Sequence, residues 1–364
     1  VNNKKRRDSA KSGSDSISTM PLTSIIITTH NRPQLLTRAV ESARAAGTKI
    51  EVIVVDDASS DETAAVCATL PGIKYLRLER NQRVAGARNV GLLASSGEYV
   101  SFLDDDDLRL PNSLDQQVKL LEADERAGLV YGQAIVADQQ VSPMNEIEKH
   151  AGRDACAPSI YPLECPDGDV FWHLLSQNFI PCGSAVFRRS CLDRIGLLDS
   201  ELPGLDDWDL WIRIAELYPI IALAKPVMIW RRSTPVSGQG TSQAADIVSQ
   251  AVRQFRHWWM KIPRAATAPA RIRRAAWREF SANMAAHLVY EAFRALRLGS
   301  LHLAARNFFA LSHPGILAVA RLAGRRKFPG LRRRTVGQEP KTSASYSINS
   351  RAPEEGPMTI AIRK

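Results

Sequence analysis

Apolar runs alternate with amphipathic stretches through the first hundred residues. "TSIIITTH", Thr23 to His30, is an apolar run closed by polar groups, and "QLLTRAVESARAA" follows with apolar positions three and four apart, so the pattern predicts a strand and then a helix. "EVIVVDDASSDETAAVCATL" repeats it, with Ser60 or Asp61 as the helix cap. "IKYLRLER", "VAGARNVGLLAS" and "GEYVSFLDDDD" predict a third strand, a third helix and a fourth strand. Strands and helices alternating at this interval imply an α/β fold, a mostly parallel sheet with helices on both faces.

In such sheets ligands bind at the carboxyl ends of the strands. Each strand here ends in polar groups: "THNR", "DDASSD", "RNQR" and "DDDD". The pattern therefore predicts one pocket lined by Asp56, Asp57, Arg88, Asp104, Asp106 and Asp107. Four consecutive aspartates repel one another, and folding gains nothing from them unless something positive stands between them. The cluster is expected to have no protein cation at hand, and carboxylates spaced D-x-D at a strand end suit Mg²⁺ or Mn²⁺. Neither a P-loop nor a dinucleotide fingerprint is present, so a phosphate would be held through metal; the bland alternative is a solvated acidic turn.

Composition adds two things. The net charge of +10 is uneven: between Ala251 and Thr335 stand about 18 Lys and Arg against two Glu. The five cysteines are an odd number without a C-x-x-C pair, which fits reduced thiols in a cytoplasmic protein. Residues 1–20 read as a disordered basic tail rather than a signal peptide, and 335–364 as a second disordered tail. No window reaches the roughly 18 apolar residues that span a bilayer.

Four stretches, "IIITTHNRPQLLTRAVES", "EVIVVDDASSDET", "NQRVAGARNVGLLASSGEYVSFLDDDD" and "GSAVFRRSCLDRIGLLDSELPGLDDWDLWIRIA", together resemble the family 2 glycosyltransferases of the GT-A fold, in order from about Pro21 to Arg232. The resemblance implies a Rossmann-like catalytic domain over 21–240 and an inverting transfer from a nucleotide-diphosphate sugar. It implies that Thr28, His30, Arg32, Asp56 and Asp57 contact base and ribose, that Arg88 lies near base or diphosphate, that Asp104 and Asp105 face the ribose, and that Asp106 binds the metal with Asp107 supporting it. The chain departs from the family at Thr28 to Arg32, where Pro-Thr-Tyr-Asn-Arg is usual, and at Arg83, where Gly is usual.

"LDDWDLWIRIA" opens what reads as a helix whose carboxylates suit a helix N-terminus. The resemblance assigns Asp207 as catalytic base, with Asp206 supporting it, and inversion does need one carboxylate to take the acceptor proton. Trp208 and Trp211 read as core aromatics ahead of sugar platforms. Arg231 and Arg232 stand where many relatives carry a metal-binding His, and Arg231 is a substitute contact for the diphosphate. Arg188 and Arg189 fit surface charge or acceptor-loop contacts equally, and His173 and His257 receive no role.

Region 241–334 is helical by pattern and basic. Its helices fit either packing on the catalytic domain or lying on anionic lipid at the inner face of the cell membrane, with Arg321 to Arg334 the lipid-touching stretch. Nucleic acid is not an expected partner. Three functions stand: a metal-dependent glycosyltransferase acting on a glycan or lipid-linked acceptor in bacterial surface polysaccharide synthesis, which the resemblance implies, a sugar nucleotidyltransferase, and a non-catalytic acidic-pocket binding module.

Overall fold

The computed structural model describes residues 22–137, 159–202, 204–231, 244–297 and 299–311. All lie within Val1–Gly324, the first of two units; both tails, Cys156, Arg232 and the stretch Arg321 to Arg334 lie outside the described residues.

The alternation read from the sequence is realised. β1 (Thr23–Thr29), β2 (Ile50–Asp56), β3 (Ile73–Arg77) and β4 (Tyr99–Asp104) pair in parallel in the order 3-2-1-4. Their crossovers are α1 (Pro33–Ala45), α2 (Thr63–Thr69) and α3 (Arg83–Ala94). Beyond β4 the chain forms β5 (Leu108–Arg109), α4 (Ser113–Ala123), β6 (Leu129–Ala137), β7 (Ser159–Tyr161), α5 (Phe171–Ser176), β8 (Ala185–Arg188), α6 (Leu192–Ile195), α7 (Asp206–Leu217) and β9 (Ile220–Arg231). These strands extend the sheet to 3-2-1-4-8-6-9-5, with β7 on β6. β8 is antiparallel to both β4 and β6, while β9 runs parallel to β6.

Side chains on a strand alternate faces, so a strand covered on both sides must be apolar throughout. In β1, Ile25 and Ile27 pack with α1 and α4 through Leu36, Val40, Leu114 and Val118. Ile26 faces the opposite core. There α3 lies so close that a Cβ at Gly91 would stand 2.3 Å from Ile26 Cγ2, which explains a glycine within the helix.

The C-terminal helices are α8 (Ala244–His257), α9 (Pro263–Ala266), α10 (Ala270–Arg297) and α11 (Leu301–Ala310). Val248, Val252, Phe255, Trp259, Phe280 and Leu288 are buried in the same core as Phe102, Trp208 and Trp211. The packing alternative is therefore the one observed for these helices. Among the described residues no helix is long and apolar enough to cross a membrane.

Candidate active site

The strand-end loops brace one another. At the end of β2, Asp56 is fully buried: its Oδ1 accepts the Ser59 amide at 2.8 Å and its Oδ2 the Tyr75 hydroxyl at 2.7 Å. Asp57 Oδ1 accepts the Gln82 amide at 2.6 Å, and burial raises its carboxyl above the usual range. Asn31 carries the "THNR" turn at φ 54 and ties it to the Asp56 loop, its amide donating to Ser59 Oγ and its Oδ1 accepting the Ser60 amide. Thr28 is buried on β1, and His30 is exposed at the rim beside Asn31. Arg83 keeps the left-handed backbone, φ 62, that its usual glycine would supply. The cap of α2 is Glu62 rather than Ser60 or Asp61, and Asp61, one residue earlier, accepts the Thr63 amide on Oδ1 at 3.0 Å.

The four aspartates form a tight turn after β4, closed by the Asp107 amide donating to the Asp104 carbonyl at 3.0 Å. β5 then leaves to pair with β9. The turn folds Asp104, Asp106 and Asp107 inward, each offering a carboxylate oxygen within 4.8 Å of the others. Burial lifts the Asp106 carboxyl to about 6, with Asp104's charge adding, and Asp107 is raised well above its usual range. Asp107 Oδ1 accepts the Arg231 amide at 2.9 Å, which brings Arg231 beside the cluster.

The expectation that these aspartates lack a protein cation is wrong. Arg32 grips Asp105 with two nitrogens, at 2.6 and 3.1 Å, and reaches Asp106 at 3.3 Å. Even so, burial pushes the Asp105 carboxyl up to about 7. Arg88 meets Asp104 at 2.7 Å and, with its other nitrogen, Asp206 at 2.7 Å. Its partners on β4 and α7 lie far apart in the chain, so local sequence could not reveal them. Arg88 thus stands between the two acid clusters, over the Phe102 ring.

Asp206 and Asp207 open α7. Asp207 Oδ1 accepts the Trp208 amide at 2.6 Å, and Asn178 Nδ2 stands 3.4 Å from Oδ2. Burial, reinforced by the charge of Asp206 and opposed by Arg88, pushes the Asp207 carboxyl up to about 7. A carboxyl titrating there is suited to exchange a proton at neutral pH.

A cavity of about 210 Å³ joins these groups, lined by Arg88, Asp104, Asp107, Asn178, Asp206 and Asp207, with Tyr161, Cys182 and Trp230. Arg32, Asp56, Asp57, Asp105 and Asp106 do not line it; Asp106 adjoins it through Asp104 and Asp107, with which it shares the carboxylate cluster. Asn178, Tyr161 and Trp230 went unread in the sequence. Trp230 had a signal in its neighbour Arg231, whereas Asn178 sits in an irregular loop and had none.

Other residues prove structural. Trp208 and Trp211 are core, the Trp208 indole donating to the Leu174 carbonyl at 2.6 Å. Arg188 and Arg189 bind backbone carbonyls of Ala127 and Gly97, at 3.0 and 2.6 Å.

A fit to a hard divalent cation is supported by the donor set itself: three clustered carboxylates, of which Asp106 and Asp107 are buried and held above their usual range by desolvation and by neighbouring negative charge, with only Asp104 and Asp106 paired to an arginine side chain among the described residues.

Residues 24–196 match the family model described as Glycosyl transferase family 2. The chain is 29% identical over 229 residues to the uncharacterized glycosyltransferase YwdF of Bacillus subtilis, covering 62% of this chain and 78% of that one. It is 36% identical over 110 residues to the succinoglycan biosynthesis protein ExoO of Rhizobium meliloti, covering 29% of this chain. The chain spans only 32% of ExoO's length. Among solved structures, the mannosyltransferase PcManGT of Pyrobaculum calidifontis, in complex with GDP-Man and Mn²⁺, is 22% identical at a TM-score of 0.47, covering 84% of this chain and 85% of that one.

Proposed function

We propose that the chain is a glycosyltransferase of family 2, whose model its residues 24–196 match, and that it moves a hexose from a nucleotide-diphosphate sugar to a hydroxyl of a glycan or lipid-linked acceptor, inverting the anomeric centre. The observation that carries the reading is a cavity lined both by Asp207, raised to about 7, and by Asp104 and Asp107 of the carboxylate cluster, with Arg88 bonded to Asp104 and to Asp206.

Asp207 takes the acceptor hydroxyl's proton as that oxygen bonds to C1 from one face, while the bond from C1 to the diphosphate oxygen breaks on the other. The nucleoside diphosphate leaves with the bonding pair, and Asp207 keeps the proton. Asp104, Asp106 and Asp107 would hold Mn²⁺ or Mg²⁺, which supplies positive charge beside the departing diphosphate. Arg88 holds Asp206 and Asp104, and so fixes the separation of the two acid clusters. Asp56 and Asp57 shape the nucleoside end, with Thr28, His30 and Arg32 beside them.

Likeness to a protein named for succinoglycan biosynthesis supports an acceptor in bacterial surface polysaccharide. The enzyme then works at the cytoplasmic face of the membrane, where the basic stretch Arg321 to Arg334 meets anionic lipid. A panel of nucleotide-diphosphate sugars tests the reading, with release of nucleoside diphosphate followed in Mn²⁺ or Mg²⁺. Release from one donor, abolished in Asp106→Asn, is expected; no release from any donor at saturating cation overturns it.

A further inference from the structure

The first turn of α7 carries a third carboxylate, Asp209, which points away from the cavity and into the C-terminal helices. Its Oδ1 accepts the indole N–H of Trp259 at 2.8 Å, and its Oδ2 accepts Arg213 Nε at 2.8 Å. Trp259 is only 1% exposed and Asp209 7%, so this bond is made out of water. A buried carboxylate that loses a donor keeps its desolvation cost, which makes the geometry of the pair hard to relax.

Trp208, immediately before Asp209, is held as firmly. Its indole donates to the Leu174 carbonyl at 2.6 Å, and its ring lies 4.8 Å from Trp259 and 6.2 Å from Phe280, centroid to centroid. The Trp208 amide is the donor to Asp207 Oδ1. The peptide that orients the base is therefore fixed by two neighbouring side chains, both anchored to Trp259, one by ring contact and one by hydrogen bond. Arg264, farther along the same segment, donates its amide to Glu216 at 3.3 Å near the other end of α7.

We propose that Trp259 is a positioning residue for glycosyl transfer, and that the C-terminal helices complete the active site by setting, through the Trp259–Asp209 bond, where the Asp207 carboxylate sits in the cavity. The inference rests on the reading of Asp207 as the base. A catalytic domain ending near Gly240 is then incomplete chemically as well as in its packing.

The test uses the full chain, with wild-type transfer established first; a wild type without transfer, or an Asp207→Asn variant at full rate, sinks the underlying reading rather than this one. Trp259→Phe keeps a ring against Trp208 and Phe280 and removes the N–H. The transfer kcat is measured per donor-binding molecule, below the onset of melting, with the donor KM and the melting temperature. Trp277→Phe is the control. It lies in the same aromatic cluster, 5.7 Å from Phe280, and among the described residues its contacts are with Phe255, Phe280 and Arg256 rather than with α7. The expected result is a kcat lowered about 10- to 100-fold in Trp259→Phe at unchanged donor KM, the size that a small misplacement of a reacting group produces. Trp277→Phe should lower only the melting temperature. Asp209→Ala removes the same bond from the other side and serves if Trp259→Phe does not fold; combined with Trp259→Phe it should lower kcat no further. A wild-type kcat in both Trp259→Phe and Asp209→Ala overturns the proposal, as do equal losses in Trp259→Phe and Trp277→Phe.

Discussion

Arg88 and Asp206 meet at 2.7 Å across 118 residues of chain, and the pair is almost wholly buried. Because Arg88 also holds Asp104 at 2.7 Å, it joins the turn after β4 to the start of α7. Replacing it with Met leaves Asp206 buried without its cation, a change that typically costs about 3–5 kcal/mol. Urea unfolding of Arg88→Met should show a midpoint far below wild type; a loss under about 1 kcal/mol would mean that the pair is not a tie between the clusters.

Cation binding should be visible without any substrate. Asp106→Asn removes one charged oxygen donor at nearly constant volume, so the rise in melting temperature on adding Mn²⁺ to wild type should largely vanish in the variant. An equal rise in both proteins would exclude Asp106 as a ligand.

Acid pH should act on the base. The folded Asp207 carboxyl titrates near 7, above its ordinary 3.8, so the folded state holds a proton that the unfolded chain has released between those values. That proton contributes stability below about pH 4, and the contribution is lost as pH rises through 7. Catalysis needs the opposite form, so kcat should climb from pH 6 to pH 8 with a midpoint near 7. A flat profile over that range would remove Asp207 from the proton transfer.

Arg83 offers a test on stability alone. It is exposed, and its φ of 62 imposes the left-handed cost that glycine escapes. Arg83→Gly should therefore stabilise the fold by about 1 kcal/mol, less the greater chain entropy of glycine. A loss in thermal unfolding experiments would show that the arginine side chain contributes more than its backbone costs.

These cases show how much the sequence made legible. The parallel half of the sheet could be read because β1 and β2 are continuous apolar runs that end in polar groups, and strand ends in such a sheet share a rim. The aspartates after β4 could be placed for the same reason, being local to an element boundary, whereas Asp207 was singled out among the carboxylates opening α7 by the family resemblance. Arg88 could be placed on that rim too, but the ion pairs that it and Arg32 make with those aspartates could not be read, because both reach them from other crossovers. Asn178 and Trp259 were hidden likewise: one sits in an irregular loop, and the other in a helical segment whose apolar spacing gives no sign of a polar partner on α7.

The central claim is that Asp207 removes the acceptor proton across a cavity from the cation-binding aspartates. The most direct measurement is sugar transfer by Asp207→Asn beside wild type, with donor binding followed on the same samples. The account predicts donor affinity close to wild type and turnover lower by about 10² to 10⁴, the usual worth of a positioned base. Transfer at the wild-type rate would contradict it.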